Sequence, residues 1–343
     1  MIRFVSMKKL FALVLTALAA VAAERNPGSP LDHLPKNIEV LTGFGERADI
    51  SPDNSRVAFM GKSFGDAFVI DLKTRKVACL TCSIPGAAFL RIMHLANGDY
   101  MLIGPERFKD IQTSRHEDNE LWYMSRKEGS RPVKLNQKMS EGAALSKKNM
   151  RISYSETSRQ FPEMAKGHSR LVIADFVVNP DGTAKLANKK TVYESKDAGC
   201  TIEAQDFYDD DRKMTFTCYE PKGKAQVMSI ELASGKVVNQ SNAPGAYNEV
   251  EGIFPDGKHT CVEADRQSQQ YGDPGGFRQI DIWKLRLDSD GKDFVRLTHF
   301  NDYEGWKASN PVVATTGRFM AFQIARTKDE AGVGYGICLM HFK

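Results

Sequence analysis

Four glutamates, Glu46, Glu141, Glu203 and Glu249, each stand seven residues ahead of a polar turn, at Asp53, Lys148, Asp210 and Asp256. Counting back the same distance from the turns at Asn97 and Thr316 reaches Leu90 and Ser309. One residue further on, Arg47, Arg91 and Asn310 share a position, and two residues on from Glu203 and Glu249 lie Gln205 and Glu251. Asp49, Asp206 and Lys307 are close by. Carboxylates brought to one place repel each other, and a bound cation or shared protons relieve the repulsion. An all-oxygen donor set from Glu46, Glu141, Glu203 and Glu249 suits calcium or magnesium. Two such carboxyls roughly 5–10 Å apart could instead act as acid and base on a glycosidic bond. A carboxylate beside Arg47 or Arg91 suits lyase chemistry. A pocket for a cationic or hydroxyl-rich ligand needs no reaction at all, and solvated glutamates lining a water-filled channel need no ligand.

Which of these applies depends on the elements that carry the glutamates. The turn in "ISPDNSRVAFMG" (50–61) has echoes in "HLANGDYMLIG", "LSKKNMRISYS", "FYDDDRKMTFTC", "IFPDGKHTCVEA" and "VATTGRFMAFQ". Each is a short polar turn between extended segments, as a hairpin requires. An alternating apolar strand follows each hairpin, such as "DAFVIDL" or "DIWKLRL", and then in five units a fourth strand, such as "KVACLTC" or "DFVRLTHF". The turns are 44, 51, 62, 46 and 60 residues apart, the spacing of four-stranded propeller blades with insertions. The sixth unit has three strands, and "NIEVLTGF" (37–44) matches the fourth strand of unit five. The expected fold is all-β: a six-bladed β-propeller over residues 36–343, its last blade closed by the N-terminal strand.

The S-P-D-x-x-x-hydrophobic-A-F motif at 51–59, with the later D-I-W-x-L and R-L-T, resembles the TolB-like propeller repeat, over nearly the whole chain after the leader. A weaker resemblance is to oligogalacturonate-lyase-type propellers, whose sites use histidines around a metal; the seven histidines here are scattered. The TolB-like resemblance implies a binding module for a protein or peptide, and the lyase-type one implies a saccharide ligand. Nothing after Phe342 could supply the peptidase domain of related enzymes. In such a ring the first strands line the channel, so the aligned glutamates are expected at its mouth.

The composition, 41% hydrophobic and 26% charged over 343 residues, is that of an ordinary globular chain. A net charge of +4, with no basic run longer than two, does not point to nucleic acid. "MKKLFALVLTALAAVAAE" has the basic start, short apolar core and small residues of a secretory leader, cleaved after Ala22 or Ala23. That divides the chain into a leader (1–23), a segment at 24–35 and the propeller. It predicts a secreted or periplasmic protein, monomeric and without a stable membrane anchor. Six cysteines suit that setting: Cys79 with Cys82 and Cys200 with Cys218 are disulfide candidates, whereas Cys261 and Cys338 have no evident partner. Asn239 heads a glycosylation sequon. The loops 161–169, 269–279 and 327–336 are expected as walls above the channel. The insertion at 114–122, with His116, lacks metal spacing and reads as a solvated loop. Asp265 and Arg266 read as braces for a turn.

Overall fold

The computed structural model describes residues 22–196, 199–329 and 332–343. Most of the expected leader, residues 1–21, lies outside them.

Six antiparallel four-stranded sheets follow one another along the chain. Their first, channel-lining strands are Glu46–Ile50, Arg91–His94, Ala143–Leu145, Thr201–Tyr208, Asn248–Ile253 and Trp306–Val313. The last sheet ends on Ile38–Thr42, paired outside Ile337–His341 with Ile38 opposite Met340 and Val40 opposite Cys338. The expected closure by the N-terminal strand is therefore present, two residues shorter at its C-terminal end and one at its start. Just ahead of it Arg25 ties the segment 24–35 to the ring. Its guanidinium pairs with Asp273 at 2.5 Å, donates to the Asn301 carbonyl at 2.8 Å and stacks on Tyr271.

The second strand of each blade buries both faces because each blade is held between two others, whereas the outer strands stay partly exposed. In "RVAFM" (Arg56–Met60), Val57 and Phe59 pack with Ala321 and Leu339 of blade 6. Ala58 and Met60 pack with Ile92 and Leu102 of blade 2. A two-residue period thus assigns alternate side chains to different inter-blade cores. The same division gives one apolar cluster per blade junction.

The D-I-W and R-L-T motifs of blade 5 are two halves of one clamp. Asp281, fully buried at the head of the third strand, accepts from Thr298 Oγ1 at 2.9 Å and pairs with Arg296 at 2.6 Å. Thr298 Oγ1 in turn accepts from the Ile282 N–H. Blade 1 repeats the threonine half with Asp66 and Thr81 at 2.7 Å, and blade 4 repeats it with Gln226 and Ser241.

Two disulfides join Cys79 to Cys82 and Cys200 to Cys218, while Cys261 and Cys338 are free and buried. Asn239 is exposed at the end of the outer strand of blade 4. The 114–122 insertion departs from expectation: Ile111–His116 forms a short helix, capped by Asp110 accepting from the Thr113 N–H at 2.8 Å. The tertiary partner described below holds it in place. Among the described residues no helix is long and apolar enough to cross a membrane.

Replacing Arg296 by Met leaves Asp281 buried without its cation and is expected to cost about 3–5 kcal/mol. Adding Asp281→Asn should recover much of that loss in urea unfolding; equal losses would show that the clamp is not an ion pair.

Candidate functional site

The site is set by how the first strands begin. The ladders between first and second strands slip at Glu46/Asp49, Ala204/Asp206, Val250/Ile253 and Ser309/Val312. Such bulges free backbone N–H groups and re-aim side chains. A side chain from the second strand of the preceding blade then engages an N–H of the first strand. The Arg47 N–H donates to Gln323 Oε1 at 2.9 Å and the Asn310 N–H to Glu263 Oε1. The Ala204 N–H donates to Ser155 Oγ and the Val250 N–H to Thr217 Oγ1. Arg47 and Asn310 sit at φ 52° and 47°, a left-handed conformation that costs a non-glycine residue about 1–3 kcal/mol. Both residues border the cavity described next, so the frame holds strain where the side chains converge.

At the channel mouth the strand starts enclose a cavity of about 540 Å³. Eight of the expected residues line it: Glu46, Arg47, Arg91, Glu141, Glu203, Glu249, Lys307 and Asn310. Gln205 and Glu251 lie one step deeper, in a constriction of about 50 Å³ shared with Asp49, Lys147 and Asp206. The four aligned glutamates thus share one cavity, but they are not alike. Glu46 accepts from Ser63 Oγ at 2.5 Å. Glu141 is gripped by Arg115 through both oxygens, at 2.7 and 2.6 Å, with Arg47 at 3.4 Å. Glu249 accepts hydrogen bonds from the hydroxyls of Tyr219 and Tyr247, one on each oxygen. Glu203 fills the space beside Gly142, where a Cβ would meet its Cγ at 2.1 Å, so position 142 has room only for glycine.

These surroundings divide the carboxyls by charge. Burial pushes Glu141 up, but Arg115 and then Arg47 outweigh it and take it down to about 2. Burial, then Glu141 and Glu249, push Glu203 up to about 8. Burial and Glu249 push Glu263 up to about 8, and burial with Glu263 and Glu249 raises Glu251 well above its ordinary value. Burial also holds the phenols of Tyr219 and Tyr247 protonated, so both donate to Glu249. Neutral carboxylic acids and an ionised carboxylate therefore face one another in a single cavity, with Arg91 amid them.

Carboxylate oxygens of Glu249, Glu251 and Glu263 lie within 4.8 Å of one another. Of the four aligned glutamates only Glu249 belongs to that group; Glu263 enters from the second strand of blade 5. Glu251 and Glu263 each give one oxygen to Asn310 and keep the other. This all-oxygen set fits a hard cation such as calcium or magnesium once the shared protons leave.

Glu263 and Arg115 escaped the strand-start alignment because neither lies on a first strand. The segment "EADRQ" held the signal for Glu263, a carboxylate on an otherwise apolar inner strand. Asp265 braces the rim as expected, accepting from the Tyr247 and Gly276 N–H groups, while Arg266 stacks on Phe294. Two of the three expected walls line the cavity, through Phe277 and Arg278 and through Val333 and Tyr335; the segment 161–169 does not. The expected solvated insertion supplies Arg115 and His116 to the lining. "GKSFG" (61–65) has the spacing of a nucleophile elbow. It is a loop between two strands, with no helix behind it, and Ser63 is bonded to Glu46 rather than to a histidine.

No family model matches the sequence, and no curated protein matches it. Solved structures share the fold. A gluconolactonase from Xanthomonas campestris matches with a TM-score of 0.56 at 11% identity, over 96% of this chain and 99% of that one. A protein assigned as TolB from Agrobacterium tumefaciens matches at 0.50 and 13%, over 80% and 96%. An oligogalacturonate lyase from Vibrio parahaemolyticus matches at 0.50 and 10%, over 94% and 98%. At such identities the likeness is one of propeller architecture alone.

Glu203 and Glu263 carry raised values in the folded chain, so the stability they confer is complete below about 4.5 and fades as pH rises through about 8. The melting temperature should therefore fall as pH rises between those values, and Glu203→Gln with Glu263→Gln should flatten the profile. An unchanged profile in the double variant would place the protons elsewhere.

Proposed function

We propose that this chain is an extracytoplasmic binding module that holds a saccharide in the channel-mouth cavity. One observation carries the reading: carboxylic acids and carboxylates converge beside aromatic side chains in a cavity of small-molecule size. A sugar hydroxyl both donates and accepts. It is matched by a wall in which Glu203 and Glu263 offer protons while Glu141 and the arginines hold fixed charge. Tyr219, Tyr247 and Phe277 give apolar surface for ring carbons. The expected leader and the two disulfides support placement outside the cytoplasm, and we take the chain as a monomer. A calcium or magnesium ion on Glu249, Glu251 and Glu263 would strengthen the site by replacing the shared protons. When bound, it supplies positive charge to sugar hydroxyls or a carboxylate. A peptide ligand would use the same cavity through its ammonium.

A second reading, a carbohydrate-active hydrolase or lyase, is favoured by one feature. Glu203 is protonated near neutrality in the same cavity as the ionised Glu141, the division of labour that acid–base cleavage needs. In that case Glu203 donates the proton to the leaving oxygen, and Arg91 steadies developing negative charge. The names of two fold neighbours, a lyase of oligogalacturonate and a gluconolactonase, fit this reading but add little at 10–11% identity.

A saccharide and peptide panel screened by calorimetry, with and without calcium, separates these readings. Glu249→Gln should weaken saccharide binding at least tenfold, and binding without turnover supports the module. Turnover lost in Glu203→Gln with affinity retained supports the enzyme. Saccharide binding unchanged in both variants rejects the cavity as the site.

A further inference from the structure

The blade clamp carries charge in a regular way. In blades 2 and 5 an acid heads the third strand, and a base on the fourth strand neutralises it. Glu120 pairs with Lys134 at 3.0 Å, and Asp281 with Arg296 at 2.6 Å. The two bases are at the same place, since Lys134 lies opposite Trp122 and Arg296 opposite Trp283, each two residues beyond its acid. In blade 4 the leading residue is the neutral Gln226, and the residue opposite Met228 is the neutral Asn239.

Blade 1 breaks the pattern. Its leading residue is an acid, Asp66, yet the residue opposite Phe68 is Cys79. "C-L-T-C" stands where blade 5 has "R-L-T-H", so Cys79 replaces the arginine and Cys82 follows the clamp threonine. Among the described residues no lysine or arginine pairs with Asp66. Instead a carboxylate oxygen of Asp66 and the two sulfurs lie within 4.8 Å of one another. Thr81 fixes the carboxylate by donating to Oδ1 at 2.7 Å, which turns the other oxygen free. Cys82 is exposed and Cys79 half-buried, so the group is open to solvent.

We propose that Asp66, Cys79 and Cys82 form a redox-gated zinc site on the outer edge of blade 1, in which the metal supplies the cation that arginine supplies in blade 5. Two thiolates, one carboxylate oxygen and a water complete the tetrahedral set that zinc takes, and Thr81 orients the carboxylate. The oxidised chain cannot bind: both sulfurs are spent in the disulfide. A dithiol or phosphine reductant gives two electrons and the S–S bond breaks. Two protons from water or the donor make the thiols, and the donor leaves as its disulfide or phosphine oxide. Zinc binding then releases those two protons. The disulfide closes a ring of only four residues, so its loss relaxes little chain entropy, less than loss of Cys200–Cys218. Cys261 and Cys338 are buried and take no part.

The test is a cobalt titration of the metal-free full chain before and after phosphine reduction, with zinc as competitor. After reduction one equivalent should bind with thiolate–cobalt absorption, and before reduction none. Cys200→Ser with Cys218→Ser should leave the signal. Asp66→Asn should weaken binding at least tenfold, and Cys79→Ser should abolish it. No thiolate–cobalt band in the reduced chain, or equal affinity in Asp66→Asn, overturns the proposal. Should reduction unfold the chain, two variants decide it: Cys79→Arg/Cys82→Ser should melt above Cys79→Ser/Cys82→Ser, because the arginine meets Asp66. Equal melting overturns the assignment of position 79 as the cation's place.

Discussion

Everything in this molecule depends on two-sided burial in a closed ring. A blade whose strands are apolar on both faces has no stable exposed side, so every blade needs two neighbours. Val57 and Phe59 need blade 6, and Ala58 and Met60 need blade 2. The strand Ile38–Thr42 is the last piece of that constraint: it covers Ile337–His341 and ties the two ends of the ring through blade 6. Arg25, just ahead of it, fastens the same end to blade 5.

Closure forces the six first strands to start around one narrow opening. Polar residues at those starts are then brought together whatever their separation in the chain, and several of their side chains are buried there. The result is a division of charge among chemically identical groups. Glu141 stays ionised because Arg115 reaches it from the short helix. Glu203 keeps its proton because burial and the neighbouring Glu141 and Glu249 outweigh the pull of Arg91 and Arg115. Glu249 accepts from two tyrosine hydroxyls, one on each oxygen. The inter-blade bonds to the Arg47 and Asn310 N–H groups keep the strand starts from relaxing away from this crowding.

The repeated clamp shows how one frame carries different chemistry. Its acid and its threonine serve folding in blade 5, where Arg296 completes the charge balance. The same geometry in blade 1 lacks the base and has sulfur in its place. A structural device becomes a candidate site through two exchanges, cysteines at 79 and 82 where blade 5 has Arg296 and His299.

Period-two apolar strands and polar turns at blade spacing determined the propeller, its six blades and its closure by the N-terminal strand, because those features are local and recur. The same ruler placed Glu46, Glu141, Glu203 and Glu249 at one mouth, since position within a repeat maps directly onto position around a ring. Both disulfides were legible for the same reason. Only the tertiary structure decided which glutamate is charged, that Arg115 belongs to the site, and that Glu263 joins Glu249 and Glu251. Those facts arise between blades and from an insertion, where partners are distant in sequence and no spacing encodes them. A carboxyl's proton depends on which neighbours share its buried space, and that space exists only once the ring has closed.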